Sequence, residues 1–441
     1  MDSKATGAEF GRRDFVKGAT VAALAAGIGT RAFAQGTDTI KVGLVGCGGR
    51  GTGALDQNVR ASGQPGMVVH AVGDVFEDKA KGFGANITKN WGDKAKIDDR
   101  MFGGWDAYKK VIDSGIDLLV TATPPGVRPY ICAYAIEKGK HVFAEKPVAV
   151  DAHGVNVMLE AAKMADEKKL CFVTGTQRRY QAPYLGTMQL IHDGALGDIV
   201  TGYVGWRGGG IWERLGKRKS PDSFALSWQL DNWYHFNWLC GDQIVEQHVH
   251  NLDVLMWAFK DVHPTSCYAI GYRVDGNNGG GRPTYSHMYS GISAEFTFPN
   301  GAKCMSWSGH GNIDGYGGEQ IVGTKGKSNC TDGITLNDGS KIARVDVKVD
   351  NGDPYVQEHI ALIKHIRAGE QVNEAKRIAE STFMAVMARE AAYSGKRVSW
   401  DALLKSDFSL MPPAELLDLE KDPDIPVPPV AVPGRYKLPT A

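Results

Sequence analysis

A β-branched run, Thr39-Ile40-Lys41-Val42-Gly43-Leu44-Val45, passes directly into Gly46-Cys47-Gly48-Gly49-Arg50-Gly51. No other stretch constrains the fold as much. A strand that ends in G-x-G-x-x-G and continues as a helix, here from about Thr52, opens a βαβ unit. The glycines permit a tight turn and let the backbone approach a pyrophosphate, and the helix N-terminus presents N–H donors to it. Glycine makes up 55 of 441 residues, so the motif means little without its strand and helix. A second strand, expected over Met67 to Gly73, ends at Asp74, 23 residues beyond Gly51. That spacing suits a carboxylate bonded to ribose hydroxyls, and its charge would repel a 2′-phosphate. NAD is therefore expected over NADP. The plainer reading is a glycine turn with Asp74 as a helix cap.

The alternation continues. Asp106 to Ser114 reads as a helix, Ile116 to Ala122 as a buried strand, and Thr123-Pro124-Pro125 as a breaker. Tyr130 to Lys138 follows as a helix and His141 to Ala144 as a strand ending at Glu145-Lys146-Pro147. Asp151 can cap a helix to about Lys169, before a strand from Leu170 to Thr174. This rhythm implies a doubly wound parallel sheet. A lysine at the C-terminal end of such a strand faces the crevice where open α/β sheets bind ligands. A merely solvated strand end is the competing reading of Lys146.

A chain of 441 residues exceeds one ordinary core, so two or three domains are expected. Lys+Arg and Asp+Glu stand at 50 each, which gives no electrostatic reason to bind nucleic acid or an anionic membrane. Seven scattered cysteines without a CxxC pair argue against a disulfide framework or a zinc site. At the N-terminus, Arg12-Arg13-Asp14-Phe15 precedes an apolar run from Ala19 to Ile28 and the small-x-small pattern Ala32-Phe33-Ala34. This is similar to a twin-arginine export signal over residues 1–34, implying the translocase as a transient partner and a periplasmic mature protein. The apolar run is short for a bilayer, which takes ~20 residues.

A dinucleotide fingerprint, a Thr-Pro-Pro turn and Glu145-Lys146-Pro147 together resemble the Gfo/Idh/MocA family of glucose–fructose oxidoreductase and inositol dehydrogenase. The likeness runs from Lys41 to about Trp400 and includes Gly194-Ala195-Leu196-Gly197-Asp198-Ile199 and Ala391-Ala392-Tyr393-Ser394-Gly395-Lys396. It implies an N-terminal Rossmann domain (38–165) and a C-terminal α+β domain (166–405) with a large, mostly antiparallel, open-faced sheet. That open face commonly joins subunits in the family, so a homodimer or homotetramer is expected. A Pro-rich tail (406–441) should lie extended over this subunit or a neighbour. The resemblance gives Lys146 a substrate hydroxyl to bind. It also places Glu246, His250 and Asp253 at the family's Asp-x-x-x-His-x-x-Asp positions. On a helix Glu246 and His250 would share a face, so Glu246 would orient the imidazole while His250 takes the hydroxyl proton. Solvated helix residues around a core histidine are the alternative. Glu246-x-His248-x-His250 would suit a metal only if extended, and no metal is expected. The family's histidine after the Thr-Pro turn is absent. Arg128 lies near that place, where it would contact a phosphate or carboxylate or face solvent.

The cofactor set is thus Gly46, Gly48, Gly49, Arg50, Gly51, Asp74, Thr123, Pro124, Glu145 and Lys146, and the catalytic set Lys146, His250 and Glu246. Arg178, Tyr180, Trp206, Trp233, Tyr234 and Asp253 are the candidate substrate contacts. Six of ten tryptophans fall between residues 206 and 257, and flat indole faces suit the C–H faces of a pyranose. The expected activity is an exported NAD-dependent oxidoreductase of a pyranose sugar, sugar derivative or cyclic polyol, with tightly held cofactor. A redox-neutral NAD-dependent glycoside hydrolase and a non-catalytic sugar-binding protein are the alternatives.

Overall fold

The computed structural model describes residues 39–61, 66–214, 220, 223–276, 282–311 and 313–439. The export signal expected over 1–34 lies outside them.

Six strands form the first sheet: β1 Ile40–Val45, β2 Met67–Asp74, β3 Met101–Gly103, β4 Leu118–Thr121, β5 His141–Ala144 and β6 Phe172–Thr174. Their order is β3-β2-β1-β4-β5-β6 and every pairing is parallel. β1, β4 and β5 are apolar runs buried on both faces, as a helix-covered parallel sheet requires. The chain leaves β1 toward β2 on one side and later returns to β4 on the other. The crevice at this switch point receives the turns after β1, β4 and β5.

The expected domain limit at residue 165 needs correction. β6 pairs with β5, so the first sheet extends through Thr174. Hydrophobic pattern marks that run as a strand but cannot say which sheet it joins. The helix Pro354–Ala368 also returns to the first sheet, where Leu362, Ile363 and Ile366 share a core with Ile40, Val42 and Leu44.

The second sheet has nine strands: β7 Ile199–Gly208, β8 Ser266–Tyr272, β9 Gly291–Thr297, β10 Lys303–His310, β11 Tyr316–Gly323, β12 Gly326–Ser328, β13 Ile334–Leu336, β14 Lys341–Ile342 and β15 Val398–Ser399. Their order is β14-β13-β12-β11-β7-β10-β9-β8-β15, with only β7–β10 parallel. The helix Ala375–Ser394 packs on one face; it is buried along almost its whole length and shares a core with β8 and β9. The other face stays open. Tyr268, Ile270 and Tyr272 alternate outward on β8, and Trp307 on β10 stacks on Tyr203 of β7 at 5.9 Å. Here the expected architecture is found.

The C-terminal tail lies on this chain's own surface. Asp422 accepts from the backbone and hydroxyl of Ser227, and Asp424 from Ser223 and Phe224. Ile425, 3% exposed, enters an apolar cluster with Leu226, Trp228 and Phe236. Removing that side chain leaves a cavity, so Ile425→Ala should lower unfolding stability by about 2–4 kcal/mol. Val432, 48% exposed, should tolerate alanine within about 0.5 kcal/mol. Denaturant unfolding of the two variants checks this.

Candidate active site

At the first turn, Gly46 has a φ of +99°, and a Cβ there would lie 2.9 Å from the carbonyl carbon of Ala122. A Cβ on Gly51 would come within 1.8 Å of the Gly46 carbonyl oxygen. Only glycine lets the loop fold under its helix this tightly. Gly48 and Gly49, by contrast, would carry a Cβ into open space. This cradle at the helix N-terminus (Gly49–Asp56) leaves backbone room for a pyrophosphate. Asp74 closes it. One carboxylate oxygen accepts from Cys47 N at 2.8 Å and the other from Phe76 N at 3.0 Å. Burial pushes this carboxyl up, opposed by those two N–H donors. Each oxygen keeps a second lone pair for a ribose hydroxyl. The residues present fit a nicotinamide dinucleotide. Gly48, Gly49 and Asp74 would hold its phosphates and ribose, with Thr123 and Pro124 on the facing turn.

Arg128 explains why the second and third turns meet. It is 3% exposed, and its guanidinium donates to the backbone oxygens of Glu145 (2.7 Å), Pro147 and Thr123. Burial draws it down to about 10. It therefore neither faces solvent nor reaches toward a phosphate, as the sequence had left open; it fastens the β4 turn to the Lys146 turn. Lys146 precedes a cis proline, and its ammonium donates to the Glu246 carbonyl at 2.5 Å and to Glu246 Oε1 at 3.3 Å. Lys146 and Glu246 are 100 residues apart in the chain, yet both side chains are largely buried here. Arg50 pairs with Glu145 at 2.9 Å and lies over the Tyr355 ring.

The expected partnership of Glu246 with His250 is not formed. The helix breaks between Gln243–Glu246 and Val249–Ala258, so the two residues do not share one continuous helical face. Glu246 instead meets Lys146, and burial, with the Glu246 charge adding, raises the Tyr234 hydroxyl well above its usual range. His250 is half-buried, and burial with the Lys146 and Arg178 charges holds its imidazole well below the usual range. It is neutral near pH 7. His248 is fully buried against Ser306 Oγ at 2.7 Å and drawn down to about 3 by burial. No metal-ligand group occurs among the described residues.

Three substrate candidates have internal partners for their polar atoms. Arg178 pairs with buried Glu319 at 2.5 Å, and the Tyr180 hydroxyl donates to Glu374 at 2.9 Å. Asp253 is 1% exposed and accepts from Arg179, Arg377 and Ser381, which holds its carboxyl well below the carboxylate range. Trp206, Trp233 and Tyr234 do come together, with Trp212, another of the six clustered tryptophans, and with His310, which the sequence did not flag. Trp212 meets Trp233 and Tyr234 edge-on, and His310 meets Trp206 at 4.8 Å and the Tyr234 hydroxyl at 3.2 Å. Of these rings, Tyr234 and His310 lie near enough to Glu246 to feel its charge.

Against this geometry, residues 40–174 match the Gfo/Idh/MocA profile, described as an oxidoreductase family with an NAD-binding Rossmann fold. An inositol 2-dehydrogenase of Burkholderia lata is 28% identical over 212 residues, which cover 48% of this chain and 57% of that protein. A glycosyl hydrolase family 109 protein of Porphyromonas gingivalis is 27% identical over 37% of this chain and 33% of its own length. The match thus spans little more than half of the first relative and a third of the second. Among solved structures, a scyllo-inositol dehydrogenase from Lactobacillus casei with bound NAD(H) and scyllo-inositol aligns with a TM-score of 0.60 at 18% identity. That alignment covers 82% of this chain and all of the other, and it shows a shared fold. Residues 40–174 are thus similar to an oxidoreductase family's NAD-binding Rossmann domain.

Glu358 offers a test of the packing behind the crevice. It is fully buried, and burial, with Glu145's charge adding, holds its carboxyl well above the usual range. An acid raised on folding contributes stability that is present below its unfolded value of about 4.3 and lost as pH rises through the folded value. Melting temperature should therefore fall more between pH 5 and pH 8 in the parent than in Glu358→Gln. Equal falls would remove this assignment.

Proposed function

We propose that this chain is an NAD-dependent oxidoreductase acting on a CH–OH group of a pyranose sugar, sugar derivative or cyclic polyol. The observation that carries the reading is Lys146. Its ammonium is fixed by Arg128's hold on the surrounding turn, beside the glycine cradle and against Glu246. When bound, NAD supplies a two-electron acceptor for the carbinol hydride. Lys146 donates a hydrogen bond to the hydroxyl oxygen and favours its alkoxide character. Neutral His250 takes the hydroxyl proton, and Glu246 keeps the ammonium aimed. Trp206, Trp233 and Tyr234 give the sugar ring flat apolar and hydroxyl contacts. Asp74 favours NAD over NADP.

Residues 1–34 support an export reading. A compartment without free nucleotide would then favour cofactor that stays bound through turnover. The open face bearing Ile270, Tyr272 and Trp307 supports a homo-oligomer. A redox-neutral glycoside hydrolase is the second reading, favoured by the name of the Porphyromonas gingivalis relative.

The test starts with protein purified without added nucleotide. Acid should release NAD, and the native protein should reduce it with myo-inositol or glucose. Release of sugar from aryl glycosides without net reduction would favour the second reading. Failure to bind any dinucleotide would sink both. Lys146→Met, which keeps the apolar stem, should retain bound nucleotide and slow turnover about 100-fold or more. Turnover near the parental rate would refute its role.

A further inference from the structure

Arg128 holds one side of the Lys146 turn, and a second buried cation holds the chain beyond it. Arg389, on the helix Ala375–Ser394, is fully buried and donates from a single nitrogen, Nη1, to two carbonyls. One is that of Val150, at 2.7 Å, a few residues past Lys146. The other is that of Gly241, at 3.0 Å, a few residues before Glu246. A Cβ on Gly241 would lie 3.1 Å from that of Val150, so the two stretches touch where Arg389 joins them. Two turns earlier on the same helix, Thr382 Oγ1 accepts from Val148 N at 3.4 Å. One turn later, the Tyr393 hydroxyl donates to Asp242 Oδ2 at 2.5 Å. Residues at this spacing share a helix face, so one face grips both stretches. Asp242 opens the short helix Gln243–Glu246: its carboxylate accepts from Gln243 N at 2.5 Å and its carbonyl from Glu246 N at 3.0 Å. The Glu246 carbonyl at the far end of that helix receives the Lys146 ammonium at 2.5 Å. The charge of Arg389 is answered next to it. Glu390 Oε1 stands 2.9 Å from both Nε and Nη2, and Oε2 accepts from the Tyr436 hydroxyl of the C-terminal tail at 2.9 Å. A guanidinium fork suits this place, with one edge for a carboxylate and the other for carbonyls.

We propose that Arg389 is a positioning residue, which sets the contact of Lys146 with Glu246 by joining the Val150 and Gly241 carbonyls. Tyr436 steadies it through Glu390, which gives the C-terminal tail a part in the site. The consequence for turnover rests on the oxidoreductase reading above, and the clamp itself does not. Arg389 acts through the backbone of two stretches and not on reacting atoms. Without it, the start of the Glu246 helix loses a tie to the Lys146 stretch, and the ammonium loses its fixed acceptor.

Two measurements on the full chain test the clamp. The first needs no substrate: native protein is labelled with limiting acetic anhydride, and each lysine is followed by mass spectrometry. Lys168, whose ammonium is bonded to the Ile136 and Glu137 carbonyls, serves as the internal reference. Arg389→Met should raise Lys146 labelling about fivefold or more and leave Lys168 unchanged. Unchanged Lys146, or an equal rise at both lysines, overturns the proposal. Should Arg389→Met not fold, Tyr436→Phe carries the test, with Lys146 labelling raised about twofold and Lys168 unchanged. No rise in that variant overturns the proposal as well. The second measurement is turnover with myo-inositol or glucose. Arg389→Met should lower kcat about tenfold with KM within about threefold, and Arg389→Lys should regain part of the loss. Parental kcat in Arg389→Met, or no gain from Arg389→Lys, overturns the role in turnover. If the parent oxidises neither probe, the oxidoreductase reading falls, and the labelling result alone decides whether Arg389 sets the Lys146–Glu246 contact.

Discussion

The active-site geometry depends first on one buried cation. Arg128 sits almost out of solvent at the start of the helix Arg128–Glu137 and ties together three backbone carbonyls from two βα turns. Burying a guanidinium is costly unless each donor finds a partner. The carbonyls of Thr123, Glu145 and Pro147 meet that need for both terminal nitrogens and gain charge-assisted bonds in return, while Nε is left without a partner. Neither the arginine nor the three carbonyls would be stable there alone. Together they hold the Lys146 turn at a set distance from the turn after β4, with the glycine cradle next to it.

The second sheet supplies what the first lacks. Glu246 arrives from a short helix at residues 243–246 and His250 from the next, and both reach the crevice because buried polar contacts lock these helices down. Asp253 is central to that lock. Arg179 follows β6, while Arg377 and Ser381 lie on the helix Ala375–Ser394, and all three meet its carboxylate. The ion pairs thus join the end of the first sheet to the helical layer of the second. Removing one partner would leave another charge buried, which explains why Asp253 serves structure although its spacing fits a reacting group.

Local signals were legible in the sequence and distant partnerships were not. β5 runs over His141–Ala144 as its apolar run implied, and Asp151 caps the next helix through Gly154 N at 2.7 Å. The helix Glu77–Trp91 and the strand Met101–Gly103 were missed. Only Ala80, Gly84 and Ile87 of that helix are buried, which leaves a faint apolar stripe. In the site, the glycine cradle and Lys146 could be read because their chemistry lies within a few consecutive residues. The Glu246–His250 pairing failed because a helix break between them carries no strong sequence mark. His310 and Tyr355 were invisible for another reason. Each reaches the crevice from an element whose partner lies far away in the chain, and no local pattern encodes that approach. The Asp353-Pro354 start of Tyr355's helix was readable in principle; its docking on the first sheet was not.

The central claim is that Lys146 meets the reactive end of a nucleotide seated on the glycine cradle. A crystal structure of the protein with NAD tests it most directly. The account predicts pyrophosphate against the backbone of Gly48 and Gly49, ribose hydroxyls on Asp74, and the nicotinamide ring within contact of Lys146. A nucleotide seated elsewhere, or one in the cradle with its nicotinamide directed away from Lys146, would contradict it.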